Sequence, residues 1–182
     1  MRALILTLAA AVAGAPALAA DKKVEDALAK AESHLAKGNT DEAVKAVQKV
    51  ANQGLEGQVA LATIQARAGQ VDEATASFAK AAGMAGTATG AVKAEALAAV
   101  ATFELAFGSG ASALKNAEAA VQAEPTPAAL AAHARALARA GQAGAALQAA
   151  DRAVQAGASS AIAHVSRGEA LLASEKAAEA EA

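Results

Sequence analysis

The sequence predicts an all-α protein built from stacked helical hairpins. Alanine makes up about a third of the 182 residues, and alanine is the strongest helix former. Glycines placed to end one helix and open the next recur at intervals of 31, 39 and 33 residues: Gly38, Gly69, Gly108 and Gly141. A period in this range is typical of helical solenoids. Only 2% of the residues are aromatic, and no strand pattern is present.

The first 19 residues are predicted to be a secretory signal peptide. Arg2 supplies the positive start, an apolar run follows, and Ala17-Leu18-Ala19 provides the small side chains that signal peptidase needs. We therefore expect cleavage after Ala19, and a periplasmic or secreted repeat domain formed by residues 20–182. An uncleaved anchor is the alternative, because the uncharged run approaches the roughly 20 residues that span a bilayer. Alanine, glycine and proline in its second half favour membrane insertion only weakly.

Charge and cysteine content exclude several classes of protein. The chain has 16 basic and 18 acidic residues, a net charge of −2, and no basic stripe of the kind that binds nucleic acid. It contains no cysteine, which excludes disulfide bonds, thiol catalysis and a lipid-modified cysteine after the leader. We expect neither a nucleic-acid partner nor a membrane contact apart from the signal peptide before cleavage.

Five units follow the leader, and each full unit is predicted to be a helix, a glycine turn and a second helix. Apolar residues recur three, four and seven positions apart within them, as on a one-sided helix. A small loop from Met84 to Gly90 separates the second unit from the third. The fifth unit is either one long helix or a broken hairpin. The units lie near residues 24–54, 55–83, 91–126, 127–158 and 159–182, the last being partial.

The turns carry helix-capping signals. Gly38 lies where a helix C-terminus needs a residue that tolerates positive φ, and Gly69 repeats this one unit later. The triplets Asp41-Glu42-Ala43 and Asp72-Glu73-Ala74 follow these glycines, and each places two carboxylates in the positive first turn of a helix. Asn39 or Thr40 can cap the helix that follows Gly38.

These residues resemble the tetratricopeptide repeat (TPR) family. Placing the turn glycine at position 15 of that family's 34-residue unit starts four units at Val24, Leu55, Ala94 and Pro127. The family's small residues at positions 8, 20 and 27 are then met by alanine in eleven of twelve cases. The resemblance implies a TPR-like solenoid of four to five closely nested helix pairs. A Sel1-like array or a simple helical bundle remains the alternative fold.

No catalytic, cofactor or metal site is expected. The three histidines, His34, His133 and His164, lie far apart in the sequence and have no second histidine or cysteine at metal-ligand spacing. The run Gly108-Ser109-Gly110-Ala111-Ser112 lacks the lysine and the preceding strand of a phosphate-binding loop, so we interpret it as a turn. No Gly-x-Ser-x-Gly nucleophile motif occurs.

The resemblance implies a ligand surface on the concave face, formed by positions 2, 5, 9, 12 and 13 of each first helix. The arginines among these positions could bind an acidic peptide or a free carboxylate, and a solvated helix face is the alternative. The lysine and asparagine set of the chaperone-binding clamp is absent, so we expect no chaperone tail. The candidate partner-binding residues are Glu32, Thr63, Arg67, Thr102, Arg135 and Arg139.

The function expected from the sequence is a non-enzymatic scaffold or adaptor that binds proteins or peptides of the bacterial cell envelope. The alternative is a structural or lipid-facing, alanine-rich helical protein of the envelope. Because large side chains are few, we also expect the fourth and fifth units to fray and the thermal transition to be broad.

Overall fold

The chain forms a linear array of antiparallel helix pairs. The computed structural model describes residues 21–181, with side chains through Glu175. The predicted signal peptide and its cleavage site lie outside these residues. The helices are α1 (Lys22–Ala36), α2 (Thr40–Gln48), α3 (Leu55–Arg67), α4 (Val71–Ala85), α5 (Gly90–Phe107), α6 (Gly110–Ala123), α7 (Pro127–Arg139), α8 (Ala143–Ala156) and α9 (Ala161–Glu181).

The helices fall into two classes by their packing. We call α1, α3, α5, α7 and α9 the first helices, and α2, α4, α6 and α8 the second helices. Apart from α1 and α9 at the two ends of the described array, each first helix packs against its own second helix, against the second helix of the preceding pair, and against the next first helix. No comparable packing joins successive second helices in the described part of the chain. The array is therefore shorter along the first helices, which form its concave face, and the predicted solenoid of helical hairpins is confirmed.

Three of the four turn glycines adopt the same helix-ending geometry. Their φ angles lie in the left-handed region that favours glycine, between 76° and 82°. The N–H of the next residue reaches back to a carbonyl in the last helical turn, as in the 2.9 Å hydrogen bond from Asn39 to His34. The predicted role of these glycines is confirmed for Gly38, Gly69 and Gly141.

The turn between α5 and α6 is built differently. Gly108 has φ of −121° and follows the last residue of α5. The hydroxyl of Ser109 accepts a hydrogen bond from the backbone N–H of Ser112 at 3.4 Å and so caps α6. The run interpreted from sequence as a turn is one, but a serine cap replaces the left-handed glycine of the other three pairs.

The structure shortens one predicted loop and decides the form of the fifth unit. Helix α4 continues through Met84 to Ala85, so the linker to α5 contains only Gly86 to Thr89. The fifth unit is a single helix, α9, and not a broken hairpin. Helix α9 packs against both α7 and α8 and completes the described array as a first helix without a second helix of its own.

The small residues of the repeat pattern lie where the helices touch. All eight alanines at positions 8 and 20 of the four full units are completely buried, as are the three alanines at position 27. Their methyl groups allow the helix axes to approach closely. These eleven residues are Ala31, Ala62, Ala101, Ala134, Ala43, Ala74, Ala113, Ala146, Ala81, Ala120 and Ala153.

The three phenylalanines of the chain form one cluster between α4 and α5. The ring centroids of Phe78 and Phe103 are 4.6 Å apart, and those of Phe103 and Phe107 are 5.2 Å apart. Phe78 and Phe103 are buried, whereas Phe107 is 36% exposed. The cluster concentrates the aromatic volume of the whole chain at the contact between the second and third pairs.

A glycine inside α3 permits a close backbone approach between the first two pairs. Gly57 is buried, and a Cβ atom at this position would overlap the carbonyl oxygen of Val50, which lies just beyond α2. No residue with a side chain fits this geometry without moving one of the two segments. Gly57 therefore fixes how the second pair sits on the first.

Candidate functional site

The concave face consists of rows of residues that share a repeat position. Because the first helices lie side by side, equivalent residues on neighbouring first helices are near one another across the array. The row at position 9 runs through acidic, neutral, neutral, basic and acidic side chains: Glu32, Thr63, Thr102, Arg135 and Glu169. This row contains four of the six candidate partner-binding residues.

At the N-terminal end of the face, an ion pair joins two neighbouring first helices. Nη1 of Arg67 on α3 donates a hydrogen bond of 3.0 Å to Oε1 of Glu32 on α1. The Arg67 side chain is 18% exposed and that of Glu32 is 57% exposed. Arg67 is therefore a partly buried cation whose charge is already offset within the chain.

A second ion pair occupies the C-terminal end of the face. Nε of Arg135 on α7 donates a hydrogen bond of 2.8 Å to Oε2 of Glu169 on α9. The Arg135 side chain is only 15% exposed, and its Nη1 is buried without a hydrogen-bond partner among the described residues. Glu169 was not among the predicted site residues. It could have been recognised because it is an acidic residue one 34-residue repeat after Arg135.

The three predicted arginines do not form one cluster. Helix α5 lies between α3, which carries Arg67, and α7, which carries Arg135 and Arg139. Arg139 is exposed and makes no ion pair within the described residues, so it is the most accessible of these three arginines to a ligand. Thr63 is buried and Thr102 is partly buried in the central part of the face.

The two edges of the concave face differ in charge. Position 2, near the N-terminus of a first helix, carries Glu25, Glu56 and Glu95 in the first three pairs. Position 13, at the C-terminus of a first helix, carries Arg67 and Arg139. Glu25 and Glu56 lie in the first turns of α1 and α3, and the two arginines lie in the last turns of α3 and α7, as the helix dipole favours. Glu95 lies beyond the first turn of α5, which begins at Gly90. A ligand lying along the first helices therefore meets an acidic edge and a basic edge.

Glu95 is the most perturbed acid of this surface. Burial raises its pKa to about 7, and the negative charges of Glu124 and Glu56 add to the increase. The side chain of Glu95 is therefore partly protonated near neutral pH, which lowers the charge of the acidic edge. This perturbation depends on three carboxylates that come from α3, α5 and the end of α6, and sequence spacing did not indicate it.

The described residues offer no metal centre. No group of three or more histidine, cysteine, aspartate or glutamate side chains there could hold a metal ion. Each of the three histidines lies on a different helix, and burial lowers the pKa of His133. None of the helices between residues 21 and 181 is both long enough and apolar enough to cross a membrane.

Comparison with known proteins agrees with this geometry at the level of fold. No protein-family profile and no curated protein sequence matches the chain. The crystal structure of a tetratricopeptide repeat protein from Parabacteroides merdae ATCC 43184 matches it with a TM-score of 0.57 over 86% of this chain. The fold is TPR-like. The two chains are 18% identical, and the match spans 62% of the length of that protein.

The structural match and the helix packing together confirm the resemblance stated from the alanine and glycine positions. At this level of identity the match carries the fold only, so the roles of individual residues depend on their environment in this chain. That environment contains ion pairs, capped turns and a curved row of first helices.

Proposed function

We propose that this chain is a non-enzymatic scaffold of the bacterial cell envelope that holds an extended segment of another protein on its concave face. The observation that carries the proposal is the uninterrupted series of five first helices, packed side by side, with a basic edge and an acidic edge. Such a curved surface gives an extended peptide many equivalent contact positions. Location in the envelope rests on the signal peptide predicted from residues 1–19.

The charge pattern suggests how a peptide would lie. Arg139 is exposed at the basic edge and is available to an acidic side chain or a terminal carboxylate. Arg67 and Arg135 are already paired with Glu32 and Glu169, so they would mainly hold the first helices in register. Thr102, which is partly buried at the centre of the face, would offer its hydroxyl group to the peptide backbone, whereas Thr63 is buried.

Site-specific photocrosslinking in the exporting bacterium tests the face directly. A photoreactive residue at Ala106, exposed at position 13 of α5, should crosslink a partner protein. The same residue at Lys115, exposed on the second helix α6, is the matched control and should not. Equal crosslinking at both positions, or none at either, would contradict the assignment of the concave face.

A charge reversal then identifies the cation that binds. Arg139→Glu should reduce crosslinking from Ala106 several-fold, whereas Arg152→Glu, a reversal at an exposed residue of α8, should leave it unchanged. Far-UV circular dichroism of both variants shows whether the helices are retained. We avoid Arg135→Glu as a first test because it would also break the ion pair with Glu169.

Export is tested separately from binding. N-terminal sequencing of the protein from the periplasmic fraction should give a chain that starts at Ala20. A chain that still starts at Met1 and remains in the cytoplasm would overturn the proposed location. It would not bear on the binding face, which the crosslinking experiment tests independently. Co-sedimentation with liposomes tests the lipid-facing alternative, and binding that survives without a protein partner would favour that alternative.

A further inference from the structure

An open cavity of about 540 Å³ lies between α1 and α2, and its volume is that of a small-molecule pocket. Lys30 and His34 line it from α1, at repeat positions 7 and 11, so the cavity is separate from the concave face. Most of its lining is charged or polar. The ionisable residues that line it are Lys30, His34, Glu42, Lys45 and Lys49.

Two units later, side chains of the chain itself fill the equivalent groove between α5 and α6. Glu104 on α5 stands at the repeat position of His34, and Asn116 on α6 stands at that of Ala46. Oε1 of Glu104 accepts a hydrogen bond of 2.6 Å from the hydroxyl of Ser112. Its Oε2 accepts a second one, of 2.8 Å, from Nδ2 of Asn116. A carboxylate therefore occupies this groove in the third pair.

The first pair leaves the groove open because it lacks both of these groups. Ala46, which also lines the cavity, has a methyl group where Asn116 has an amide. Nδ1 of His34 is buried and has no hydrogen-bond partner in the described residues. The groove faces solvent in later pairs too, since Lys80 of α4 and Lys115 of α6 are exposed at the repeat positions of lysines that line the cavity. The opening therefore results from the side chains of the first pair and not from its place in the array.

The cavity carries positive charge that the described residues do not neutralise. Nζ of Lys45 donates a hydrogen bond of 2.8 Å to Oε1 of Glu42. This hydrogen bond and the charge of Lys45 lower the pKa of Glu42, and the charge of Lys30 adds to the decrease. Lys30 and Lys49 form no ion pair in the part of the chain that the structure describes. With Lys45 offset by Glu42 and His34 counted as neutral, two positive charges remain.

We propose that the cavity between α1 and α2 binds a small organic dicarboxylate. One carboxylate lies beside His34 and Lys45, at the level where the third pair holds the carboxylate of Glu104. Because α1 and α2 are antiparallel, the step from His34 to Lys30 and the step from Lys45 to Lys49 lead in the same direction. The second carboxylate lies there, about 6 Å further along the helices, and neutralises the two lysines that lack an ion pair.

Titration of the mature chain with glutarate, followed by backbone amide signals in NMR, tests the proposal. We expect saturable shifts confined to α1 and α2, with a dissociation constant below about 1 mM at low ionic strength. Pentanoate has the same carbon chain with one carboxylate and should bind at least tenfold more weakly. Equal binding of the two acids, or shifts spread over the other helices, would overturn the proposal. Tighter binding of inorganic phosphate than of glutarate would also overturn it, because the ligand would then not be a dicarboxylate.

Two lysines at the same repeat position provide a matched pair of variants. Lys49→Gln should weaken glutarate binding at least fivefold, because it removes one of the two charges without an ion pair. Lys80→Gln, at the equivalent exposed position of α4, should leave binding unchanged. Glu42→Gln should strengthen binding, because it releases Lys45 from its carboxylate partner. Equal effects of Lys49→Gln and Lys80→Gln would contradict the proposed site.

A carboxylate placed in the cavity by substitution completes the test. His34→Glu gives the first pair the carboxylate that Glu104 supplies in the third pair. It should raise the melting temperature in thermal circular dichroism and abolish glutarate binding, whereas the uncharged control His34→Gln should keep most of the binding. A His34→Glu chain that melts below the parent, or that still binds glutarate as the parent does, would contradict the proposal.

Discussion

Two contacts between consecutive helices of this solenoid, one joining two pairs and one within a pair, are built from very different side chains. Between α4 and α5 the core contains Phe78 and Phe103, which are 4% and 5% exposed. Between α7 and α8 most of the buried residues are alanines. Leu130 and Leu137 are the only large residues of these two helices that are buried. Large aromatic side chains fill the first contact, whereas small side chains let the two helix backbones approach closely at the second.

The comparison shows how a repeat array can use alanine without losing its fold. An alanine contact gains less free energy from burial than an aromatic one, because it removes less apolar area from water. It also has less room to accept a larger residue. The two contacts should therefore respond in opposite ways to changes in side-chain size, and the expectation that the fourth and fifth units fray stays a prediction.

Loss of side-chain volume should lower the free energy of unfolding most at the aromatic contact. Phe78→Ala leaves a cavity between α4 and α5 and should lower the free energy of unfolding by about 3 to 5 kcal/mol. Equilibrium urea unfolding measures the change. Phe107→Ala serves as the control, because this ring is 36% exposed and should contribute less. Similar losses for both rings would show that the burial of Phe78 does not decide the stability of this contact.

A larger side chain should lower the free energy of unfolding most at the alanine contact. Ala150 on α8 is completely buried, so Ala150→Leu should lower the free energy of unfolding by about 1 to 3 kcal/mol through overpacking. Ala145→Leu, at an exposed position of the same helix, should change it by less than about 0.5 kcal/mol. If Ala150→Leu proved stabilising, the α7–α8 contact would contain unfilled space and the comparison would fail.

Glu95 tests the electrostatics of the acidic edge. Its folded-state pKa of about 7 lies above the ordinary value of 4.5, so the folded chain keeps a proton that the unfolded chain has released. Stability should therefore fall as pH rises from 4.5 to 7. Glu95→Gln removes this loss and should stabilise the chain by about 1 kcal/mol above pH 7, after allowance for solvent screening. Below pH 4.5 the variant and the parent should be equally stable.

Urea unfolding at several pH values measures the effect of Glu95. Glu25→Gln, at the equivalent and exposed position of α1, is the matched control. A gain for Glu95→Gln that persists at low pH would point to packing and not to charge. An unchanged pH profile would contradict the raised pKa.

The ion pairs across the concave face should give the smallest effects. A double-mutant cycle on Glu32 and Arg67 should yield a coupling of about 0.5 kcal/mol, because Glu32 is largely exposed. The cycle on Arg135 and Glu169 should yield a larger coupling, since both partners are less exposed. The reverse order would show that burial does not govern the strength of these contacts.

The sequence was sufficient to predict the fold because its information on packing is local and periodic. Glycines such as Gly38 and Gly69 end helices through backbone geometry, and alanines such as Ala31 and Ala62 lie at contacts that only small residues permit. Each feature repeats, so a chance match at one unit is corrected by the others. The serine-capped turn at Gly108 departs from the pattern, and there the sequence indicated only that a turn occurs.

The electrostatics of the concave face could not be predicted as fully. Repeat position placed Arg67, Arg135 and Arg139 on the first helices, but pairing depends on rotamers and on residues about one repeat away. Only Arg139 was left without an acidic partner in the described residues. The raised pKa of Glu95 depends on burial and on Glu124, which follows the second helix of the same pair, and no spacing rule encodes it.

The glycine at residue 57 has an effect that reaches far beyond its own helix. Pairs in a stacked array are joined in series, so a small tilt at one joint moves every later pair, and the displacement grows with distance along the stack. A side chain at Gly57 would push α3 away from Val50 and turn the whole remainder of the molecule relative to α1 and α2. The absence of one carbon atom thus helps to set the direction in which the distant end of the protein points.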